Sequence, residues 1–485
     1  MSLSSRRQRK NTVPMSSSSK ILAFNGEDHP LSPLSTFSET EPFHHRHDVH
    51  TKDHDFINLE SPQMNFNQTQ SSSSLRLVIL KILNILFDRL DPLSKHVFHR
   101  FGSFSKFLLL LVACIVFLEI LIFRFQFTYA PHAGFLSDNR SPKFHNILLI
   151  GDPQLTDRYS YKFLTSEFSV LSRFIFFICD TFMRKNFQSI LRMNRNNIHT
   201  IIFLGDLFDN GRQITDDEFE REFARFNSIF ENRDSSIKTL YLSGNHDIGL
   251  ERWPHHVLER FEKYFHTPLN FNYTINNYFK IIGINSMYLN QKGNPVEFIS
   301  KNIENEFGRN ILLTHIPLYR DGNCENVDYN QLLHENARTR PLEQGEGFGY
   351  KNMLDSMYSL ALLQMTHPLI VLSGDDHEYC KYKHELQEEG FSVYEHTMPT
   401  FSMLQGTRKY GYGILTLDLE TNTMHGIQVF YMPKVWSIFG FYGVLSVTAS
   451  VYVIFQFRSM WYYGMALSSA LLTWMLCQVW WWLVI

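Results

Sequence analysis

The chain has 485 residues, 44% of them hydrophobic and 19% charged, with a formal net charge of -3. That length allows two or three average domains, and the near-neutral balance carries no basic footprint of the kind that nucleic-acid binding requires. The 5 cysteines fit neither a disulfide scaffold nor a zinc-finger spacing; with Cys114 and Cys477 in apolar runs, Cys179, Cys324 and Cys380 can supply at most one intrachain bridge.

Residues 1–74 are rich in Ser, Asn, His and Pro and lack apolar periodicity, which predicts a disordered cytosolic tail. Its cluster of His44, His45, His47 and His50 reads as a solvated tract. Residues 75–105 begin with LRLVILKILNILFDRL, an apolar run broken by Arg76, Lys81, Asp88 and Arg89; this suits an amphipathic juxtamembrane segment. Residues 106–126 contain FLLLLVACIVFLEILIF, interrupted only by Glu119, and predict a transmembrane signal anchor rather than a cleavable leader. Lys95, Arg100 and Lys106 precede the run and only Arg124 closely follows it, so the N-terminus should face the cytosol. Residues 127–433 are then expected to be lumenal, with Asn272 (N-Y-T) a glycan acceptor, Asn139 a poorer one, and Asn67 on the wrong side. Two further apolar stretches, 435–455 and 461–485, predict a membrane hairpin with Arg458 at its cytosolic turn and tryptophans at its ends.

Inside residues 127–433, short apolar runs alternate with polar helical segments: NILLI, TIIFL, KTLYL, FKIIGI, ILL and PLIVLS. That alternation predicts a layered α/β fold. Five of these runs end in residue types that bind metal or phosphate: GDPQ (Asp152, Gln154), GDLFDN (Asp206, Asp209), SGNHD (Asn245, His246), THIP (His315) and SGDDHE (Asp375, His377). A single Gly-Asp after a strand is ordinary turn chemistry. The ordered set is not. Two divalent metals about 3.5–4 Å apart need a bridging carboxylate, oxygen or nitrogen ligands on each side and a water between them, and these residues supply that donor set. The glycine-rich GEGFGYKN and GTRKYGYG lack the strand-to-helix context of nucleotide loops and read as loops near the site.

Across residues 146–418 the sequence resembles the calcineurin-like metallophosphoesterase superfamily, whose ordered pattern is D-x-H, GD, GNH[DE], H, then G-H-x-H. It is most similar to the membrane-anchored branch that remodels the GPI-anchor glycan in the endoplasmic reticulum by removing ethanolamine phosphate from mannose. The resemblance implies a four-layer αββα sandwich carrying two divalent metals. One metal would take Asp152, Gln154, Asp206 and His377, the other Asn245, His315 and Asp375, with Asp206 bridging. It also implies that His246 protonates the leaving sugar oxygen, with Asp209 orienting its ring, while a hydroxide held between the metals attacks phosphorus in line. Gln154 stands where the superfamily has the His of D-x-H, and Asp375 where it has the first His of G-H-x-H. Oxygen donors at both positions favour manganese over zinc; a degraded, inactive site is the alternative. The family's phosphate-clamping Arg is replaced by Asn210, which leaves Arg212 and Arg320 as candidates for phosphate, each with a salt bridge as the bland reading. GPI-anchored proteins or the GPI glycolipid are the implied substrate. The implied setting is a multi-pass protein of the endoplasmic reticulum membrane, cycling to the Golgi being compatible, with export cargo receptors as a further class of partner. The competing functions are hydrolysis of another lumenal phosphoester and a non-catalytic membrane adaptor for cargo.

Overall fold

The run TIIF becomes strand β2 (Thr200–Phe203), buried along its whole length, because parallel strands on either side and layers above and below leave none of its surface to water. Its neighbours are β1 (Phe144–Ile150) and β3 (Lys238–Tyr241), both parallel to it. Two antiparallel strands, β12 (Gly411–Asp418) and β13 (Thr423–Tyr431), extend this sheet to the order β13-β12-β1-β2-β3. The second sheet is built from β4 (Phe271–Ile275), β5 (Phe279–Ile284), β6 (Asn310–Thr314), β9 (Ile370–Ser373), β10 (Cys380–Leu386) and β11 (Phe391–Thr397), in the order β10-β11-β9-β6-β5-β4. Its four central strands run parallel, and β4 and β10 pair antiparallel at the edges. A small hairpin joins β7 (Glu346–Gly347) to β8 (Tyr350–Lys351). The computed structural model describes residues 110–111, 113–117, 143–161, 170–194, 197–250, 255–287, 295–302, 309–325, 345–347, 350–386, 390–407, 409–457 and 474, all within the compact unit Leu90–Ile485.

Side chains alternate across each strand, and the alternation sorts them into two buried clusters. Ile147 and Leu149 of β1, Ile202 of β2, Ile311 and Leu313 of β6 and Ile370 and Leu372 of β9 share one cluster, which packs the sheets face to face. Their neighbours Leu148, Ile201, Phe203, Leu312 and Val371 belong to the other, which is completed by helices. On the first sheet these are α1 (Val170–Met193), α2 (Asp216–Ile229) and α4 (His255–Phe265), met across aromatic contacts such as Phe203–Phe226, Phe187–Phe230 and Phe226–Phe265. The second sheet meets α6 (Ser356–Thr366), whose Thr366 carbonyl accepts from Asn310 on β6; α5 (Pro295–Asn302) contacts α6. The layered α/β fold expected from the sequence is therefore present, with both sheets mixed. A capping box of Thr215 and Glu218 starts α2 just after the second ligand loop.

The chain departs from the sequence reading in its antiparallel strands. The motif GTRKYGYG does not remain a loop throughout, because residues 411–413 open β12; GEGFGYKN forms the β7–β8 hairpin. Among the described residues the bridge is Cys324–Cys380, and Cys179 is free and buried on α1. A last helix, α7 (Val435–Phe457), covers the whole of the second expected span and exposes Trp436, Phe441, Val444 and Val447. Its described side chains end at Val451, and among the described residues no helix is long and apolar enough to cross a membrane. The first expected span is described only at residues 110–111 and 113–117, where Leu111 and Ile115 pack on Ala449; the third is described only at Trp474. Residues 1–109, with their tail and juxtamembrane calls, lie outside the described residues, as do Asn67, Asn139 and Arg458. Asn272 is exposed on edge strand β4.

Candidate metal centre

Every predicted ligand follows the C-terminal end of a parallel strand, the edge at which α/β sheets place their ligands. Asp152 and Gln154 follow β1, Asp206 follows β2, Asn245 and His246 open the one-turn helix α3 (Asn245–Ile248) after β3, His315 follows β6, and Asp375 and His377 follow β9. The loops are stitched to one another, within the second sheet and across to the first. The Gly374 amide donates to the His315 carbonyl at 2.9 Å, the Asp375 amide to Asp152 Oδ1 at 3.0 Å, and Thr400 Oγ1 to the Asp152 carbonyl at 2.7 Å. Asp152, Gln154, Asp206, Asp375 and His377 all adopt left-handed backbone conformations, with φ from 34° to 63°. Side chains other than glycine avoid that region, so the turn of each loop is held by its surroundings in order to aim a donor inward. Gly244 permits the closest approach in the site: a Cβ there would collide with Asp206 Oδ1 and its amide.

The donors converge as two groups that share one carboxylate. Ligand atoms of Asp152, Asp206 and His377 lie within 4.8 Å of one another, and so do those of Asp206, His315 and Asp375. Gln154 Nε2 donates to Asp206 Oδ2 at 2.7 Å, which directs its own Oε1 away from that contact, and Asn245 Oδ1 lies 3.1 Å from His315 Nε2. The structure thus brings these seven side chains together, with Asp206 common to both groups.

Three features show that this set fits divalent cations. Asp152 Oδ2, Gln154 Oε1 and Asp375 Oδ2 are buried and find no hydrogen-bond partner among the described residues, an expensive arrangement unless something else satisfies them. His315 Nδ1 donates to the Leu204 carbonyl at 2.8 Å, which fixes the tautomer and leaves the Nε2 lone pair facing Asn245 Oδ1, Asp206 Oδ1 at 3.2 Å and Asp375 Oδ1 at 3.7 Å. Nε2 and these oxygens together attract positive charge, whether a proton on Nε2 or a cation shared among them. The electrostatics agree. Burial, with Asp206 adding to it, raises Asp152 well above the usual carboxylate range despite His315; burial likewise pushes Asp375 up to about 7. Asp206 is held low in spite of its burial by His315 and His246. His315 goes the other way from its burial, raised well above its ordinary value by Asp206, Asp152 and Asp375.

His246 lies beside the ligands rather than among them. Its amide donates to Asp206 Oδ1 at 2.9 Å, and its Nδ1 lies 2.5 Å from the Asp209 carbonyl oxygen and 3.3 Å from Asp209 Oδ1. The ring is therefore oriented by Asp209 as expected, with the backbone oxygen the nearer partner. Burial opposes protonation of this imidazole, but Asp206 and Asp209 outweigh it and raise it to about 9.

The two arginines have different surroundings. Arg212 Nη1 donates to the Asn245 carbonyl at 2.7 Å, and its amide to the His246 carbonyl at 3.0 Å, so it braces the α3 turn at the rim of the site. Arg320 is buried and committed to Glu395, with Nε 3.2 Å from Oε2 and Nη2 3.1 Å from Oε1, and it also donates to Thr397. This pair accounts for Arg320 without a phosphate.

Asp247 was missed in the sequence reading. It is fully buried and accepts from the amides of Leu207, Phe208 and Gly244 at 2.9–3.1 Å, locking the Asp206 loop to the Asn245 turn. Its signal was its place in GNHD, one residue beyond the two that were assigned roles.

Residues 145–379 match the calcineurin-like phosphoesterase family. Among curated relatives, cell division control protein 1 of Saccharomyces cerevisiae is 29% identical over 286 residues, 56% of this chain and 55% of that protein. A metallophosphoesterase 1 homolog of Caenorhabditis elegans is 31% identical over 214 residues, 42% of this chain and 55% of that protein. The alignments thus span little more than half the length of these relatives. Among solved structures, a purple acid phosphatase from yellow lupin seeds aligns with a TM-score of 0.35 at 12% identity, over 60% of this chain and 55% of that one.

Proposed function

We propose that the chain is a calcineurin-like phosphodiesterase releasing ethanolamine phosphate from a mannose of the GPI-anchor glycan, a reading supported by the family match over residues 145–379 and by a donor set for two metals. The observation that carries the reaction class is the sharing of Asp206 between two ligand groups, with His246 bonded to it through its amide and backed by Asp209. Asp152, Gln154 and His377 would hold one divalent ion and Asn245, His315 and Asp375 the other. When bound, such ions neutralise the phosphoryl oxygens and make water a usable nucleophile at neutral pH.

The chain's own residues supply the rest. With Nδ1 occupied by Asp209, the proton that His246 can deliver sits on Nε2. As the water oxygen bonds to phosphorus and the bond from phosphorus to the mannose oxygen breaks, that proton passes to the departing oxygen, which leaves as the sugar hydroxyl; the proton lost by the water goes to solvent, from which His246 is reprotonated. The charge on Asp206 and Asp209 favours the protonated ring beforehand.

The choice of substrate rests on the sequence resemblance in GDPQ, GDLFDNGR, GNHDIG and SGDDHE. The oxygen-rich ligand set, with Gln154 and Asp375 in place of imidazoles, supports manganese as the metal. A lumenal setting in the endoplasmic reticulum membrane is supported by the Cys324–Cys380 bridge, a mark of oxidising compartments, by the exposed sequon at Asn272, and by the apolar residues that α7 presents to its surroundings. Anchored proteins awaiting export would be the substrates, and cargo receptors the partners. The test is an assay of the purified full chain with manganese on an ethanolamine-phosphate-substituted mannoside, read by mass spectrometry. Release of free ethanolamine phosphate is expected; hydrolysis of other phosphodiesters without such release would move the substrate to another phosphoester, and no hydrolysis at all would favour the adaptor.

A further inference from the structure

The loops bearing His315 and Asp375 both reach a buried carboxylate that belongs to neither ligand group. Glu395 on β11 is completely buried, and its two oxygens receive donors from separate parts of the chain. Oε1 accepts from the Leu318 amide at 3.1 Å, Ser373 Oγ at 2.7 Å and Arg320 Nη2 at 3.1 Å; Oε2 accepts from Arg320 Nε at 3.2 Å and His384 Nε2 at 2.9 Å. Thr397 Oγ1 closes the network by pairing with Ser373 Oγ at 2.9 Å and accepting from Arg320.

The positions of these donors in the chain give the network its purpose. Leu318 and Arg320 lie just beyond His315, and Ser373 is the last residue of β9, immediately before the Gly374-Asp375 turn. Between these anchor points the Gly374 amide donates to the His315 carbonyl, while Asp375 is held at φ 63°. A turn in that conformation relaxes unless both its flanks are fixed. The segment beyond His315 is also clamped to β10, by the Cys324–Cys380 bridge, the Glu325 amide on the Lys381 carbonyl at 2.7 Å and the Lys381–Glu325 ion pair at 2.7 Å. By contrast, Asp152, Gln154 and His377 are held by the Thr400 hydroxyl, Asp206 and the Gln405 carbonyl; their tie to the Asp375 turn is the Asp375 amide on Asp152 Oδ1, and Glu395 enters none of these bonds.

We propose that Glu395, acting through Arg320 and Ser373, is a positioning residue that sets the spacing of His315 and Asp375 and so controls one half of the metal centre selectively. The inference rests on the dinuclear reading given above. It assigns Arg320 to holding the site together rather than to gripping phosphate.

The test titrates manganese into the metal-free full chain and counts bound equivalents and their affinities, with the electron paramagnetic resonance of manganese separating paired from single ions. Wild type should bind two ions and show the coupled signal. Glu395→Gln, which keeps the shape but removes the charge, should melt cooperatively, hold one ion normally and bind the second about 10–100-fold more weakly, giving a single-ion signal at low manganese. Added to His377→Ala, it should abolish the remaining tight binding; added to His315→Ala, it should change nothing further. A role in stability alone would lower the melting temperature without this asymmetry. Should the unpaired Arg320 prevent Glu395→Gln from folding, Ser373→Ala leaves the ion pair intact and should still weaken one ion about 10-fold. Two ions bound at wild-type affinity, or both weakened equally, in whichever variant folds would overturn the proposal. A wild type that binds fewer than two ions would overturn the dinuclear reading instead.

Discussion

Replacing His246 with glutamine and Asp209 with asparagine should slow turnover to different extents, and the structure says by how much. Neither side chain belongs to the ligand groups, so both variants should retain their metals. His246→Gln removes the proton donor, and general acid catalysis of this kind contributes about 10²–10⁴ in rate. Asp209→Asn removes much less. The ring's nearer partner is the Asp209 backbone oxygen at 2.5 Å, which the substitution leaves in place, and only the carboxylate at 3.3 Å is lost. A charge pair at that separation, partly open to solvent on the His246 side, is worth about 1–2 kcal/mol after screening, which is about a 5–30-fold loss in kcat. The assay compares two phosphodiesters with the same phosphoryl group, one with a sugar alkoxide as leaving group and one with p-nitrophenolate. The alkoxide needs a proton to depart and the phenolate does not, so His246→Gln should be crippled on the first substrate and nearly normal on the second. Equal losses on both, or an Asp209→Asn variant as inactive as His246→Gln, would refute the assignment of His246 as proton donor with Asp209 as its support.

The rest of the molecule gives further expectations. Phe226 is fully buried against Phe203, Phe208, Phe230 and Phe265, so Phe226→Ala should cost about 3–5 kcal/mol in denaturant unfolding while leaving the metal ligands in place. Despite complete burial, Arg320 and His384 pull Glu395 down from its ordinary 4.5 to about 2. A depressed carboxylate stabilises the fold fully above pH 4.5 and loses that contribution as the pH falls toward 2, so melting temperature should drop across this window and the drop should be shallower in Glu395→Gln. His396 adds acid sensitivity from higher pH, because burial lowers it from 6.5 to about 3 and the unfolded chain gains its proton first. Cys324→Ser should lower the melting temperature by opening the loop of 56 residues closed by the bridge, and a wild-type melting curve unchanged by reductant would contradict that role.

The site was legible because its residues obey a local rule: each ligand lies a few positions past an apolar run, and such runs in parallel deliver their C-terminal ends to one edge. No single run indicated which residues would meet, but once TIIFL and NILLI are parallel neighbours, Asp152 and Asp206 must be close. The parts that were not legible depend on contacts far apart in sequence. Arg320 follows a ligand and carries a fork suited to phosphate; only its partner 75 positions later shows that the fork is occupied. Glu395 lies in VYEHT, a strand whose charge reads as solvent-facing until the Arg320 loop covers it. Antiparallel β10, with Lys381, Lys383 and Glu385, was obscured by its polar face at the sheet edge. The role of Asp209 was inferred through its side chain, whereas the shorter contact runs through its carbonyl, an atom that every residue has.

The proposed dinuclear centre depends most on Asp206, the carboxylate common to both ligand groups. Metal content of the purified full chain and of Asp206→Ala, measured after loading with manganese and dialysis, tests this directly. Two equivalents in the wild type and substantial loss of both in the variant are expected, because each ligand group contains Asp206. Two equivalents retained by Asp206→Ala, or one in the wild type, would contradict the shared-carboxylate centre.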